Sequence, residues 1–488
     1  MPRKLENFTI VIFGASGDLT ARKLMPAIYQ LGKLQTLPER YRIVGIGRTK
    51  YDHEQYRTLM HEAVTRYAPG LVEDDDHFKV FSQNIFYLPG EYCDLETYKK
   101  LQADIEAVEN REGFCDNVIY YLAVPPSLAG PIIQNLYKAQ ISGGSIRCIG
   151  WRKIIVEKPY GSDLASAQKL NSIVAECFDE DQIYRIDHYL AKETVQNLLV
   201  FRFGNSMFEP LWNHRYVDHV QITSAENFGI RERGLYYEET GLLRDIIQNH
   251  GLQLIAYMAM EPPTRLEADA IRDQKIDIFK HIRRMSPEKI AEDVIIGQYD
   301  GYRQEKNVSH DSKVETFAAI RFFIDNERWK GVPFYVRAGK NLKEWITEIV
   351  VRLKPLPYKL YKHISEHAEV NKIIIQVHPE ERISIRFSAK RPGEEVVLDP
   401  VLMDFNYKKS FEGEWLTAYH RLLLDALAGD QTLFLRKDGI EECWKIADNI
   451  RAGIKKCGLQ PLIYPSGSWG PEKSDKLLEK DGFKWRLR

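Results

Sequence analysis

Residues 184–193 read YRIDHYLAKE and hold two cations, two carboxylates, a histidine and two tyrosines. The run is too polar for a core strand and too mixed in charge for an ordinary solvated face. His188 and Lys192 are four residues apart, and on a helix they share a face. Two such donors grip a phosphate. A helix start capped by Asp187, with Lys192 in a nearby salt bridge, fits the same residues. A second group sits in GLLRDIIQNHGLQLIAYMAM, residues 241–260. Asp245, Asn249 and His250 lie there on an apolar helix pattern and are costly to bury without partners. A histidine with an ordinary pKa near 6.5 is a natural base for an alcohol proton. A satisfied core histidine fits the same position.

A third group, GASGDLT at 14–20, follows an apolar run and precedes a helical pattern. Glycines there let backbone N–H groups approach a phosphate, and the helix N-terminus adds a positive dipole end. A tight strand-to-helix turn needs the same glycines, but the order strand, turn, helix favours dinucleotide binding. The next strand ends GIGRTK. NAD-binding folds carry an acidic residue in that region to hold the ribose hydroxyl. Arg48 stands there instead, which favours a 2′-phosphate and so NADP over NAD. An arginine also stacks on adenine or serves as a solvated surface charge.

These groups need elements to position them. In the first part, FTIVIF, YRIVGIGR, NVIYYLAV and RKIIVEK are strand-like. DLTARKLMPAIYQLGKL sets Leu24, Ile28 and Leu31 on one helix face. Alternating apolar strands and helices predict an α/β, Rossmann-like domain with a parallel sheet over residues 1–180. In residues 181–488, HVQITSA, TFAAIRFFID, PFYVRAG, EIVVRLKP, NKIIIQVHP and ERISIRFSAK read as strands, several of alternating polarity. Two helical stretches, 239–260 and 414–430, accompany them. This part is expected to be α+β, with a large, mainly antiparallel sheet.

Composition narrows the function classes. Lys plus Arg is 68 against 69 Asp plus Glu, a net charge of −1 over 488 residues. A general nucleic-acid binder carries a basic excess, so none is expected, and an anionic partner must be held locally. No signal-peptide pattern opens the chain and no run of about 20 residues is apolar enough to span a membrane. The six cysteines, at 93, 115, 148, 177, 443 and 457, lack zinc-like spacing. Reduced thiols in a cytoplasmic protein are expected, with no metal site.

Taken in order, IFGASGDLTARKLMPAIY, EKPYG, RIDHYLAKETVQNLL, LRDIIQNHGLQ, IRDQK, GVPFYVRAGK and GSWGP resemble the glucose-6-phosphate dehydrogenase family along nearly the whole chain. The resemblance implies oxidation of glucose 6-phosphate at C1 to 6-phosphogluconolactone, with NADP as acceptor, opening the oxidative pentose phosphate pathway. His250 matches the family's base and Asp187 the carboxylate that hydrogen-bonds it. His188, Tyr189 and Lys192 match the phosphate grip. Glu226 and Asp245 match acceptors for sugar hydroxyls, Lys340 a further substrate lysine, and Lys158 a lysine between cofactor and sugar. Gly14, Ser16, Gly17, Asp18, Leu19 and Arg48 match the cofactor turn and 2′-phosphate reader. A homodimer or homotetramer is implied. Arg185 reads as a structural ion pair. The chain departs from the family's RIDHYLGKE at Ala191. It also has Trp345 where a basic residue is common five positions after the lysine of GK, with Lys343 nearby.

Overall fold

The computed structural model describes residues 5–71, 75–112, 117–141, 150–356, 371–411 and 416–486, so Cys115 and Cys148 lie outside the described residues. Cys93, Cys177, Cys443 and Cys457 are thiols outside any disulfide. The chain forms two compact units. The first comprises Met1–Ala191, Glu267–Arg272 and Trp415–Glu441; the second comprises Lys192–Leu266, Asp273–Glu414 and Glu442–Arg488.

The first unit holds six strands, β1 (Phe8–Phe13), β2 (Tyr41–Gly47), β3 (Ile85–Pro89), β4 (Asn117–Leu122), β5 (Arg152–Val156) and β6 (Ile183–Arg185), in the order β3-β2-β1-β4-β5-β6. Every pair is parallel. This is the doubly wound dinucleotide-binding order, with its switch point between β1 and β4. All six residues of β1 are buried, as befits a strand covered on both faces by helices. A cut at residue 180 would sever β6, which pairs with β5. The unit therefore runs on to Ala191 and takes in two later segments.

One of those segments is the helix Ala418–Ala428, ended by Gly429 at φ +81°. The buried Lys153 ammonium of β5 donates to the terminal carbonyls of Ala426 (2.8 Å) and Leu427 (3.1 Å). A cation at a helix C-terminus satisfies orphan carbonyls and meets the negative dipole end.

The second unit is built on nine strands. They are β7 (Val217–Ala225), β8 (Val294–Tyr299), β9 (Phe317–Phe323), β10 (Pro333–Gly339), β11 (Ile346–Leu353), β12 (Lys372–His378), β13 (Arg382–Lys390), β14 (Leu398–Asn406) and β15 (Leu462–Tyr464), ordered β14-β13-β12-β11-β7-β10-β9-β8-β15. β7–β10 and β8–β15 pair parallel and the others antiparallel. Helices accompany this sheet, as α+β architecture requires. Leu252–Ala259, the apolar stretch that is too short for a membrane, is wholly buried. Among the described residues no helix is long and apolar enough to cross a membrane.

Candidate active site

The turn after β1 is shaped by Gly14, whose φ is +90°. A Cβ there would lie 2.1 Å from the Ala123 carbonyl oxygen, so only glycine fits. The amides of Gly14 and Ala15 both donate to the Ile46 carbonyl (3.1 Å), and the Gly17 amide donates back to Gly14 (2.9 Å). Helix begins at Asp18 and passes through a π-helical turn, Thr20–Leu24, before Met25–Lys33. Ser16 and Asp18 are exposed, Gly17 and Leu19 half-buried, and Asp18 pairs with Arg22 one turn on (3.3 Å). Arg48 is exposed just beyond β2 and acts electrostatically on Tyr92, whose hydroxyl reaches the Gly14 backbone. The glycine cradle, the free helix start and a cation at the end of β2 fit a nicotinamide dinucleotide with its phosphates at the turn.

β5 runs into Glu157, Lys158 and a cis bond to Pro159. The Tyr121 hydroxyl donates to Glu157 (2.5 Å), and Tyr419, at the start of the helix Ala418–Ala428, bonds the same carboxyl. Burial pushes the Glu157 carboxyl above its ordinary range, opposed by those bonds and by Lys158. The other face of Tyr419 stacks on His188, centroids 6.3 Å apart and planes at 16°. Sequence reading took Lys158 from EKPYG but missed Glu157 beside it, and gave no signal for Tyr121 or Tyr419.

His188 and Lys192 do not share a helix, contrary to the expectation from their spacing. Asp187, 1% exposed, accepts the Tyr189 amide (3.0 Å), and its carbonyl takes the Leu190 amide, so 187–191 form a turn. A short carboxylate competes for backbone donors and stops helix from starting there. Lys192 has extended backbone (ψ 135°), and the helix Glu193–Phe203 begins after it. Glu381 caps that helix in place of Asp187, accepting the Thr194 amide (2.7 Å) and hydroxyl (3.2 Å). Ala191 is buried and is not among the residues with positive φ, so its departure from glycine carries no backbone strain. Arg185 is fully buried and bound through two nitrogens to Glu180 (2.5 and 3.1 Å), the structural ion pair expected of it.

In the second unit Lys340 follows β10 and Glu226 follows β7, its parallel neighbour. The Lys340 ammonium lies 2.6 Å from Glu226 and 3.2 Å from Asp245, and is 1% exposed. Burial works to lower its pKa, but Asp245 and Glu226 outweigh it and hold the cation above its ordinary value. The Tyr236 hydroxyl also donates to Asp245 (3.4 Å).

Asp245 and His250 lie on a nine-residue π-helical segment, Leu243–Gly251, which the apolar pattern did not announce. Its i→i+5 bonding turns residues five apart toward one face, where an α-helix would splay them. His250 is 2% exposed, and its amide donates to the Asn249 side chain (2.6 Å). The segment starts at a break at Gly241 (φ +62°), where the Glu315 carboxylate accepts the Leu243 amide (3.0 Å). Glu315, a positioning residue that sequence reading also missed, is pushed above the usual carboxylate range by burial.

A family model described as "Glucose-6-phosphate dehydrogenase, NAD binding domain" matches residues 11–197, and "Glucose-6-phosphate dehydrogenase, C-terminal domain" matches 199–486. A glucose-6-phosphate 1-dehydrogenase of Aggregatibacter actinomycetemcomitans is 41% identical over 99% of this chain and 98% of its own length. The solved structure titled "Glucose-6-phosphate dehydrogenase in complex with its substrate glucose-6-phosphate" is 34% identical, covers 100% of both chains and has a TM-score of 0.90. A glucose-6-phosphate 1-dehydrogenase structure from Mycobacterium avium is 33% identical over 99% of both chains, with a TM-score of 0.85.

Proposed function

The chain belongs to the glucose-6-phosphate dehydrogenase family, and from that premise we propose how its own residues carry out the family's reaction. The reaction is oxidation of glucose 6-phosphate at C1 to 6-phosphogluconolactone, with a nicotinamide dinucleotide as acceptor.

His250 takes the proton of the C1 hydroxyl as the C1 hydrogen leaves with its bonding pair as hydride. Asp187 stabilises the imidazolium that results, the orienting role of a third group in such constellations. His188, Tyr189 and Lys192 hold the phosphate; Glu226 and Asp245 accept from sugar hydroxyls while Lys340 fixes both carboxylates. The geometry of Lys340 carries this reading. A buried ammonium clasped by two carboxylates is a pre-organised polar cluster, and His250 lies five residues beyond Asp245 on the same π-helical segment.

The first unit serves the cofactor and supplies Asp187, His188 and Tyr189, and the second supplies Lys192, the remaining sugar residues and assembly. Gly14, Ser16, Gly17, Asp18 and Leu19 cradle the pyrophosphate, Lys158 stands between cofactor and sugar, and Arg48 reads a 2′-phosphate, which makes the cofactor NADP. When bound, the nicotinamide supplies the hydride acceptor; the protein supplies position and the base. The protein works in the cytoplasm as a homodimer or homotetramer. The β14 end of the second sheet supports assembly, because Leu402 (55% exposed) and Met403 (61%) are strand neighbours and so open on opposite faces.

The test is a rate panel with purified protein: glucose 6-phosphate, other hexose phosphates and glucose, each with NADP and with NAD. Highest kcat/KM with glucose 6-phosphate and NADP is expected. A preference for free glucose would overturn the phosphate assignment, and a preference for NAD would overturn the role of Arg48.

A further inference from the structure

Trp345 stands immediately before β11 and is 48% exposed, unusual for so large an apolar ring. It is not loose. One face lies on the imidazole of His378, with centroids 4.0 Å apart and planes at 38°. Phe228 meets it edge-on at 5.4 Å and 86°. The loops that carry these rings are laced together, the Leu342 amide donating to the Glu226 carbonyl (2.8 Å) and the Asn341 amide to the Phe228 carbonyl (2.9 Å). The aromatic group is thus bonded to the same backbone that presents Glu226 and Lys340.

His378 adds no charge. Burial first, and then the Lys192 ammonium, push its pKa down to about 4, with Glu226 opposing. The imidazole therefore feels both Lys192 and Glu226 and is neutral at physiological pH. Lys343 points to solvent, its amide tied to the Ser468 carbonyl (2.9 Å).

We propose that Trp345, stacked on His378 and braced by Phe228, is a substrate-contacting residue at the Lys192 end of the site, a neutral aromatic wall that holds the hexose by contact area without selecting for its phosphate. This rests on the assignment of Lys192 to the phosphate. An aromatic face gains from the apolar side of a sugar whether or not it is phosphorylated, whereas a cation at the same place acts on the phosphate alone. The wall therefore tightens both kinds of sugar equally, and the preference for the phosphate comes from Lys192. Selectivity is a difference between two affinities, and this residue is spent on their sum.

The experiment measures KM and kcat for glucose 6-phosphate and for glucose in the full-length protein and in Trp345→Arg, Trp345→Ala, Trp345→Phe and Lys192→Ala. Trp345→Arg should raise the ratio of kcat/KM for glucose 6-phosphate over glucose by about tenfold, or about 1.4 kcal/mol, through KM for the phosphate ester. Trp345→Ala should raise KM for both sugars by a common factor, and Trp345→Phe should keep both within about twofold. A ratio in Trp345→Arg that stays within twofold of the parent, or unchanged KM values in Trp345→Ala, overturns the proposal. Lys192→Ala separates the two levels. If it lowers the ratio while Trp345→Arg does not raise it, only the aromatic wall fails; if it leaves the ratio unchanged, the phosphate assignment beneath it fails.

Discussion

Lys340 shows how residue types translate into chemistry. A buried cation is stable only beside counter-charges, and Glu226 and Asp245 supply them at 2.6 and 3.2 Å. Replacing Lys340 with Met leaves two carboxylates crowded and uncompensated, which costs on the order of 3–5 kcal/mol. A lower unfolding midpoint in thermal denaturation, with a raised KM for glucose 6-phosphate, is expected; an unchanged midpoint would refute the ion cluster. Arg48→Ala should weaken NADP with little effect on NAD, measured as the ratio of their KM values. The polar density of RIDHYLAKE stands out locally, whereas Lys340, Glu226 and Lys158 were named only through the family resemblance. Tyr419 and Glu315 are isolated in sequence, and their meaning comes only from partners brought in by the fold: His188 and Glu157 for one, Gly241 and Leu243 for the other.

The element that matters most is the π-helical segment Leu243–Gly251. Its entry depends on Gly241, where a Cβ would meet the Glu315 carboxylate at 2.5 Å and where φ is +62°. Gly241→Ala should therefore cost more than about 1 kcal/mol of stability, because the backbone is incompatible with a side chain. It should also lower kcat by shifting His250; a variant with parental melting and turnover would show that the break is dispensable. Strands with strong β-branched or alternating patterns, such as NKIIIQVH, were legible in the sequence. β6 was not, because three residues carry no period. β14 was hidden by Pro400 and by its exposed Leu402 and Met403, which read as loop; an edge strand tolerates both. The helix expected across His188 and Lys192 failed because Asp187 takes a backbone donor that helix would need.

For the molecule as a whole, the near-neutral charge leaves pH sensitivity to individual groups. His378 and His420 are both held neutral, mainly by burial, at about 4, against an unfolded value near 6.5. The unfolded chain binds more protons than the folded one between those values, so stability is fully present above about 6.5 and is lost as pH falls toward 4. His420→Gln should flatten the fall of the melting midpoint over that window; an equally steep fall would remove His420 as a cause. The open β14 end should be where copies meet, so a Leu402→Glu, Met403→Glu double variant should lower the molar mass measured by light scattering. The parallel order of the first sheet was legible from alternating strand and helix signals, whereas the return of Trp415–Glu441 to the first unit was not. That segment is anchored by the buried Lys153 and by Tyr419, single residues without a pattern. The most direct test of the proposed reaction is the steady-state rate of reduced nicotinamide formation by His250→Asn with saturating glucose 6-phosphate. A kcat lowered by orders of magnitude, with KM within a few-fold of the parent, is expected; parental turnover would remove His250 as the base.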